Sequence, residues 1–289
     1  MEIVKIRKFT NGWVAAIRLS DGRLIESTNT CLPLHTELRG FNNKRTTNTI
    51  LSYDFTKTYF HEKNMVGVST QSGCPIMCKF CAVNAVTRKH GWRNLTDDEI
   101  VQQVDFALKV TKDLFNYDYF ESKPKLFRIL FTRMGEPSLN IENVVNAIRK
   151  LKHKFPEARV QISTIGIPES KDLVHELMKL EDELSDHDFL ELQFSIHSTD
   201  MNFRRWLQTP RVMDNSEINK LAQEFYYKHP RKWKVTLNFT LSQKTPFDVN
   251  ELRKQFDPDC VFIKLSPLNE NLVSESNNLK TLIKQENYV

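Results

Sequence analysis

Residues 66–81 are VGVSTQSGCPIMCKFC, a short apolar run followed at once by three cysteines. Cys74, Cys78 and Cys81 form the pattern C-x3-C-x2-C, so one segment holds three of the chain's five cysteines. Iron–sulfur clusters usually take four cysteines, one for each iron. Three close cysteines with no evident fourth therefore predict a cluster with one iron left open, where chemistry can occur.

The bulk composition is that of a folded, mildly basic protein. The chain has 289 residues, 40% of them hydrophobic, and a formal net charge of +5. No apolar stretch approaches the roughly 20 residues that span a bilayer, and Met1–Lys5 lacks the apolar core of a signal peptide. We therefore expect no membrane association and a cytoplasmic, reducing location, where structural disulfides are rare. The charge is compatible with a nucleic-acid partner.

The chain divides into two parts, residues 1–65 and 66–289. In the first part, apolar runs at 13–17 and 24–27 flank Ser20-Asp21-Gly22 and predict a small β-hairpin. In the second part, apolar runs rich in β-branched and aromatic residues alternate with segments of helical period. The predicted strands are 66–70, 126–132, 159–164, 190–196, 234–241 and 261–265.

The helical segments lie between these strands. Thr96 and Glu99 form a capping box, and Ile100, Val104 and Leu108 then repeat on one helix face. Asn140 is a good N-cap for a second helix. Weaker helices are predicted at 172–180, 216–227 and 249–255. Six strand–helix units predict a parallel sheet covered by helices, in the form of an α/β partial (β/α)6 barrel with a small N-terminal β-hairpin extension.

Small and polar residues follow nearly every predicted strand. Since the reactive groups of such folds lie at the carboxyl ends of the strands, we expect these segments to line one cavity. They are the cysteine run, Arg133-Met134-Gly135-Glu136-Pro137, Ser163-Thr164-Ile165-Gly166, Ser195-Ile196-His197-Ser198 and Ser266-Pro267-Leu268-Asn269.

Each of these motifs also has a simpler interpretation. A zinc ion needs four N or S ligands, which the three cysteines and His90 could supply. Gly135 and Pro137 are expected in any strand-to-helix turn. His197 could be a structural histidine, and Asn269 a turn residue. The functional reading depends on their recurrence at one end of the sheet.

In this order, the motifs resemble those of radical S-adenosylmethionine (SAM) enzymes, and more narrowly the RlmN/Cfr-type enzymes that methylate adenine in ribosomal RNA. The resemblance runs from Val66 to Asn269 and includes Arg93-Asn94-Leu95-Thr96, Phe194 and Arg204. Asp21-Gly22-Arg23-Leu24-Ile25-Glu26-Ser27 is similar to the family's strand with a catalytic glutamate, which makes Glu26 a candidate base.

The resemblance implies a [4Fe–4S] cluster on Cys74, Cys78 and Cys81, with SAM chelating the open iron. An electron from an external donor of flavodoxin or ferredoxin type would cleave SAM to methionine and a 5′-deoxyadenosyl radical, which abstracts hydrogen. RNA is a candidate substrate. The positions that match the family's SAM contacts are Gly135, Glu136, Ser163, Ser195, Ile196, His197 and Asn269.

The chain departs from the family's pattern at both methyl-transfer cysteines. One lies in the family seven residues before the first cluster cysteine, and here that position is Gly67. The other lies well beyond the position of Asn269, where this sequence has no cysteine. Cys31 and Cys260 match neither. The resemblance therefore implies radical formation without support for the two-cysteine methylation.

Three hypotheses follow. The first is a radical SAM enzyme that abstracts hydrogen without two-cysteine methylation. The second retains RNA methylation with another thiol, such as Cys31. The third is a non-catalytic module that binds nucleic acid around a structural metal. Two regions combine cations with aromatic rings that could contact RNA: Lys44, Arg45, Tyr53, Phe55, Tyr59 and Phe60, and Arg204, Arg205 and Trp206.

Overall fold

A computed structural model describes residues 1–34 and 56–283. Its described part contains nine strands in one sheet, ordered β1 to β9 as in the chain. The strands are β1 Glu2–Phe9, β2 Gly12–Arg18, β3 Leu24–Leu32, β4 Lys63–Val68, β5 Leu126–Phe131, β6 Arg159–Thr164, β7 Leu190–Ser195, β8 Val235–Leu241 and β9 Val261–Pro267. The helices are α1 Val83–His90, α2 Asp97–Phe115, α3 Ile141–Lys154, α4 Ser170–Leu184, α5 Met201–Leu207, α6 Asn215–Lys228, α7 Val249–Gln255 and α8 Leu272–Ser276.

The sheet has an antiparallel and a parallel part. β1 to β4 pair antiparallel, and β4 to β9 pair parallel. The six parallel strands with their helices confirm the predicted partial barrel. The N-terminal extension has one strand more than the expected hairpin, because β1 pairs with the outer edge of β2.

The two faces of the sheet differ in chemistry. Side chains alternate between faces along a strand, and one set is apolar and packs under the helices, as in β5, where Phe127, Ile129 and Phe131 are buried. The other set is polar although it is also buried. It lines the concave face of the parallel strands with Arg128, Gln161, Glu191, Gln193 and Thr236.

An ion-pair network ties the N-terminal extension to the barrel. The turn between β2 and β3 carries Asp21, whose carboxylate accepts a 2.6 Å hydrogen bond from Arg93. Arg93 also forms two 2.7 Å hydrogen bonds with Glu99 in the first turn of α2. The capping box of Thr96 and Glu99 is present as predicted. The extension is thus held against the segment that follows the cysteines.

Asn140 precedes α3, as predicted, but its side chain does not cap that helix. Its amide donates instead to the carbonyl oxygens of Thr70, at 2.9 Å, and Leu95, at 2.8 Å. Thr70 lies before the cysteine segment in the chain, and Leu95 lies after it. Asn140 therefore joins the start and the end of that segment to the second strand–helix unit.

Candidate metal and cofactor site

The three cysteines lie on a loop between β4 and α1 that α1 holds in shape. Thr87 of α1 accepts a 2.9 Å hydrogen bond from the backbone N–H of Cys74. Asn84 of the same helix donates at 2.8 Å to the carbonyl of Cys78. Gly73 has φ +136°, and a Cβ there would lie 2.8 Å from the carbonyl oxygen of Gly91. The loop therefore requires glycine at its entry.

The far side of this loop is held by segments that come much later in the chain. The N–H of Lys79 donates at 2.8 Å to the carbonyl of Leu207 in α5. Asn271 donates at 2.9 Å to the carbonyl of Phe80, and Asn277 at 3.0 Å to that of Lys79. The backbone between Cys78 and Cys81 is thus fixed from both sides.

The three thiols do not form a compact site for a single ion. All three thiols are free, and they do not all lie within 4.8 Å of one another. A tetrahedral zinc with Zn–S bonds of about 2.3 Å needs sulfur atoms about 3.8 Å apart. Nor does His90 form a close ligand group with them. The three cysteines and His90 therefore do not form a ready-made four-ligand zinc site among the described residues.

Because the three cysteine thiols are buried, they do not readily lose their protons in the absence of a metal. Burial raises the pKa of Cys74 to about 12, and the carboxylate of Glu136 adds to the rise. Burial also raises the pKa of Cys78, as do the neighbouring thiols and Glu136. The pKa of Cys81 is raised by burial and then by Glu26. A metal's positive charge is what such thiolates require, and both predicted carboxylates lie close enough to act on them.

Glu136 is 3% exposed and follows β5. Its Oε1 accepts hydrogen bonds from the hydroxyls of Ser138, at 2.7 Å, and Thr164, at 2.5 Å, and from the N–H of Ser138, at 3.2 Å. Its Oε2 accepts one, from the N–H of Ile165 at 3.0 Å. Burial raises the pKa of Glu136, and these donors oppose the rise. Because a carboxylate oxygen has two lone pairs, Oε2 retains room for one further donor, such as an amino group.

Gly135 provides the space beside this carboxylate. Its φ is +106°, and a Cβ would lie 2.6 Å from the hydroxyl of Thr70 and 2.7 Å from Cβ of Gln71. The side chain of Gln71 accepts a 2.9 Å hydrogen bond from the N–H of Glu136. The glycine therefore lets the loop after β5 lie directly against the segment that leads to Cys74.

The other predicted SAM contacts lie at the same end of the sheet but differ in exposure. Ser163 and Ser195 have hydroxyl oxygens 3.4 Å apart, and both face the concave side. Ile196 is fully buried, which leaves its backbone for any ligand contact. Asn269 is exposed, two residues beyond β9.

His197 is buried and neutral. Its Nδ1 accepts a 2.9 Å hydrogen bond from the N–H of Thr240, which places the proton on Nε2. Its ring packs edge-on against Phe80 of the cysteine loop, with centroids 4.9 Å apart. Burial lowers its pKa to about 3, and Arg204 contributes to the shift. The φ of +66° at His197 turns the chain just where β7 ends.

Arg204 is fully buried, so the expectation that it belongs to an exposed RNA-binding surface is wrong. Its guanidinium donates at 2.7 Å to the carbonyl of Ile165 and at 3.2 Å to Gln208. Gln208 in turn donates at 2.7 Å to the carbonyl of Ser195. Arg204 thus connects the loop after β6 to the end of β7, a role that nothing in its sequence neighbourhood indicates.

Glu26 lies on β3 facing the concave side, where Arg133 pairs with it at 3.3 Å. Arg133 also borders Gly67 of β4. A Cβ at position 67 would lie 2.5 Å from the hydroxyl of Thr28 and 3.1 Å from Nε of Arg133. The space that a side chain at position 67 would need is therefore taken, and Arg133 stands beside the candidate base instead.

The two remaining cysteines lie elsewhere. Cys31 is buried on the helix-facing side of β3, because it lies five positions along the strand from Glu26 and the faces alternate. It accepts a 3.1 Å hydrogen bond from the N–H of Tyr59. Cys260 is buried before β9, at the opposite end of the sheet. Neither thiol faces the candidate site in this structure.

The aromatic residues that were candidates for RNA contact differ in their exposure. Phe60 is buried between the rings of Phe115 and Tyr117, so the expectation that it stacks on a base is wrong. Trp206 is 43% exposed and lies 5.5 Å from the ammonium of Lys79. Lys44, Arg45, Tyr53 and Phe55 lie outside the described residues.

One further ligand-type cluster lies away from this site. Asp182, His187 and His229 have potential ligand atoms within 4.8 Å of one another. The carboxylate of Asp182 already pairs with Lys228 at 2.6 Å and with His229 at 2.9 Å.

In the described part of the chain, no helix is both long and apolar enough to cross a membrane.

Residues 68–229 match the Radical SAM superfamily model. Since this match covers more than half of the chain, the protein belongs to the Radical SAM superfamily and is an enzyme of that type. Superfamily members in general use a [4Fe–4S] cluster and SAM.

Comparison with individual proteins indicates a narrower group within the superfamily. The chain is 33% identical over 220 residues to a protein of Pseudothermotoga lettingae named "Probable dual-specificity RNA methyltransferase RlmN", with 73% of this chain and 57% of the relative covered. A Thermotoga neapolitana protein of the same name is 32% identical over 219 residues, with 72% and 56% covered. The chain thus spans little more than half the length of these relatives.

A solved structure supports the fold. The crystal structure of a radical SAM methyltransferase from Sphaerobacter thermophilus superposes with a TM-score of 0.65 and 22% identity. The match covers 93% of this chain and 67% of that one. A match over so much of the chain agrees with the single nine-stranded sheet.

Proposed function

We propose that this chain binds a [4Fe–4S] cluster through Cys74, Cys78 and Cys81, binds SAM at the carboxyl ends of β5 to β9, and abstracts hydrogen from a substrate. One observation carries this proposal: the three-cysteine loop follows β4, and Glu136, Ser163, Ser195 and His197 lie at the ends of the neighbouring parallel strands, at the same edge of the sheet. When bound, the two cofactors supply the electron and the 5′-deoxyadenosyl group from which a hydrogen-abstracting radical is made.

The residues of the chain have separate tasks in this proposal. Glu136 offers its free lone pair to the amino group of SAM and is kept in place by Thr164, Ser138 and Ile165. Ser163 and Ser195 offer hydroxyls on the concave face. His197 presents Nε2–H in a neutral ring, so it can donate a hydrogen bond without adding charge.

Glu26 is the proposed base. It lies on the concave face, partly exposed, and its charge is held by Arg133 at 3.3 Å. The register of β3 puts Glu26 on the concave face of the sheet, where we propose that a substrate would meet the cluster and SAM. A carboxylate there could accept a proton from a substrate after hydrogen abstraction.

RNA is the proposed substrate class, and the names of the relatives support it. The two-cysteine route of methyl transfer has less support. Position 67 is a glycine whose Cβ position is blocked by Thr28 and Arg133, and Cys31 faces away from the site. We therefore favour hydrogen abstraction by another route, with methyl transfer to RNA through a further thiol as the second candidate.

The test is anaerobic reconstitution of the purified chain with iron, sulfide, reductant and SAM. Formation of 5′-deoxyadenosine is the expected result, and its absence would count against the proposal. Methyl-labelled SAM with cellular RNA separates the two candidates, because only the second transfers label to RNA. About one zinc per chain without iron would instead favour a structural metal in a non-catalytic module.

A further inference from the structure

The outermost strand of the sheet, β1, carries two cations that have no carboxylate partner among the described residues, on the face that leads to the site. β1 is exposed along nearly its whole length. Lys8 points to the helix side, where its ammonium donates at 2.6 Å to the carbonyl of Leu114. Because faces alternate along a strand, Lys5, Arg7 and Phe9 lie on the opposite face, which is the concave one.

The strand register connects these residues directly to the candidate base. Lys5 pairs with Ala16, and Ala16 pairs with Glu26. Two strand spacings of about 4.8 Å separate Lys5 from Glu26 on one face, or about 10 Å. In the next row, Arg7 pairs with Val14, Val14 with Thr28, and Thr28 with Gly67.

The surface of the sheet between Lys5 and Glu26 is shallow. Val14 and Ala16 form its floor, and both are partly exposed, whereas Trp13 and Ala15 on the other face are buried. Small side chains on a partly exposed sheet face allow an extended polymer to lie close to the backbone. The row therefore runs from the sheet edge to Glu26 without a bulky side chain in its path.

The charges on this face are available to a ligand. Neither Lys5 nor Arg7 has a carboxylate partner among the described residues, in contrast to Arg18, which pairs with Glu2 at 3.4 Å. The guanidinium of Arg7 lies 5.0 Å from the ring centroid of Phe9, which is 42% exposed. A free cation beside an exposed ring suits a single-stranded nucleic acid, whose phosphates need cations and whose bases stack on aromatic faces.

We infer that the concave face of β1 to β3 is the track along which single-stranded RNA reaches Glu26, with Lys5 and Arg7 contacting phosphates and Phe9 stacking on a base. This inference rests on the proposed RNA substrate. It commits to RNA because the two cations complement a polyanion and because the strand register aims the track at the site. A second copy of the chain paired along the β1 edge and an acidic protein are the other conceivable occupants.

The test measures binding of a fluorescein-labelled single-stranded RNA of about 20 nucleotides to the whole chain, over about 50 to 300 mM salt and without SAM. The variant is Lys5→Gln combined with Arg7→Gln. Loss of two phosphate contacts should weaken binding about tenfold and lower the slope of log affinity against log salt by about 1.4, since each contact to a single strand contributes about 0.7. Phe9→Ala should weaken binding about fivefold or more with no change of slope, because stacking releases no counterions.

The matched control is Lys109→Gln combined with Lys220→Gln. These two lysines are exposed on α2 and α6, in the helix layer, so this variant loses the same net charge on the other side of the sheet. It should bind RNA like the unaltered chain. Equal weakening by both double variants would mean that only net charge matters, and the inference would fail.

Three other results are decisive. Unchanged binding and slope in the β1 variant would overturn the inference. A loss of self-association, seen by light scattering, with RNA binding intact would assign the surface to a second copy. An acidic polypeptide such as poly-glutamate that displaces the RNA from the unaltered chain as well as unlabelled RNA does would favour a protein partner.

The proposed function is tested separately. The yield of 5′-deoxyadenosine without RNA should be the same in the β1 variant as in the unaltered chain. If that yield is zero in both while the RNA results hold, the track stands and the proposed catalysis fails.

Discussion

The hydroxyl of Thr164 donates a 2.5 Å hydrogen bond to the carboxylate of Glu136, so the end of β6 holds the acid that follows β5. In Thr164→Val, of nearly the same shape, this donor is absent and the buried carboxylate loses one of its partners. We expect the free energy of unfolding to fall by about 1 to 3 kcal/mol and the KM for SAM to rise. Thr164→Ser, which retains the hydroxyl, should stay close to the unaltered protein in both denaturant titration and steady-state kinetics. Equal behaviour of the two variants would contradict this role.

Gly135→Ala should destabilise the protein by more than backbone strain alone. The φ of +106° costs about 1 to 3 kcal/mol in a non-glycine residue, and the new Cβ would also lie 2.6 Å from Thr70. Gly22→Ala is the matched control, since Gly22 has φ +83° and nothing within 4 Å of its Cβ position. Chemical denaturation of both variants separates the two contributions. A Gly135→Ala variant no less stable than Gly22→Ala would refute the close approach.

Replacing any one of Cys74, Cys78 and Cys81 by serine should abolish the cluster. Iron and sulfide after anaerobic reconstitution should fall from about four of each per chain towards zero, along with the visible absorbance. Cys260→Ser is the control, because Cys260 lies at the other end of the sheet and donates only to the carbonyl of Asp257. If this control lost iron to the same extent, the three-cysteine loop would not be the binding site.

Acid should destabilise the protein through His197. In the unfolded chain this residue takes up a proton below about pH 6.5, whereas in the folded protein burial lowers its pKa to about 3. The contribution is therefore fully present above pH 6.5 and is lost as the pH falls. Between pH 7 and pH 5 the loss is about 2 kcal/mol.

The check on this prediction is His197→Asn, which tolerates positive φ but does not titrate. Urea unfolding at several pH values should show a weaker decline below pH 6.5 in the variant. A decline of the same size in both proteins would mean that other groups, such as Asp21 and Glu99 with their lowered pKa values, account for the acid sensitivity.

Glu26→Gln should separate SAM cleavage from conversion of the substrate. Iron content and 5′-deoxyadenosine yield should stay near those of the unaltered protein, whereas conversion of the substrate should fall by about 100-fold or more, as for a lost general base. Glu2→Gln is a suitable control, since it removes a carboxylate on the edge strand. If conversion is retained in Glu26→Gln, the residue is only a partner for Arg133.

The sequence was sufficient for the parallel part of the fold, because each buried strand has apolar residues on the face that packs against the helices and each long helix has a clear period. Thr96 with Glu99 shows this well, as both the cap and the helix follow. The sequence did not predict β1, because this strand is exposed and its Lys5, Arg7 and Lys8 leave it without an apolar pattern. It did not predict α1 either, because Asn84 is the buried residue of that helix and no apolar face marks it.

The candidate site, too, could be predicted only in part from the sequence. The positions at strand ends were found because topology alone brings them to one edge. Arg204 and Thr164 gain their roles from partners more than 25 residues away, Ile165 and Glu136, and nothing local to them indicates those contacts. Asn140 was placed correctly beside its helix but bonds across space instead of along the chain.

The hydrogen bonds from Asn271 and Asn277 to the cysteine loop have a consequence for biosynthesis. Every strand from β2 onward pairs with one that the ribosome has already made, so the sheet can grow in the order of translation. The loop between Cys78 and Cys81, however, lacks two of its backbone partners until about 190 more residues have emerged. A nascent chain can thus complete most of its sheet while this pocket is still unfinished, and we expect iron and sulfide to be inserted late, once α8 has reached the loop.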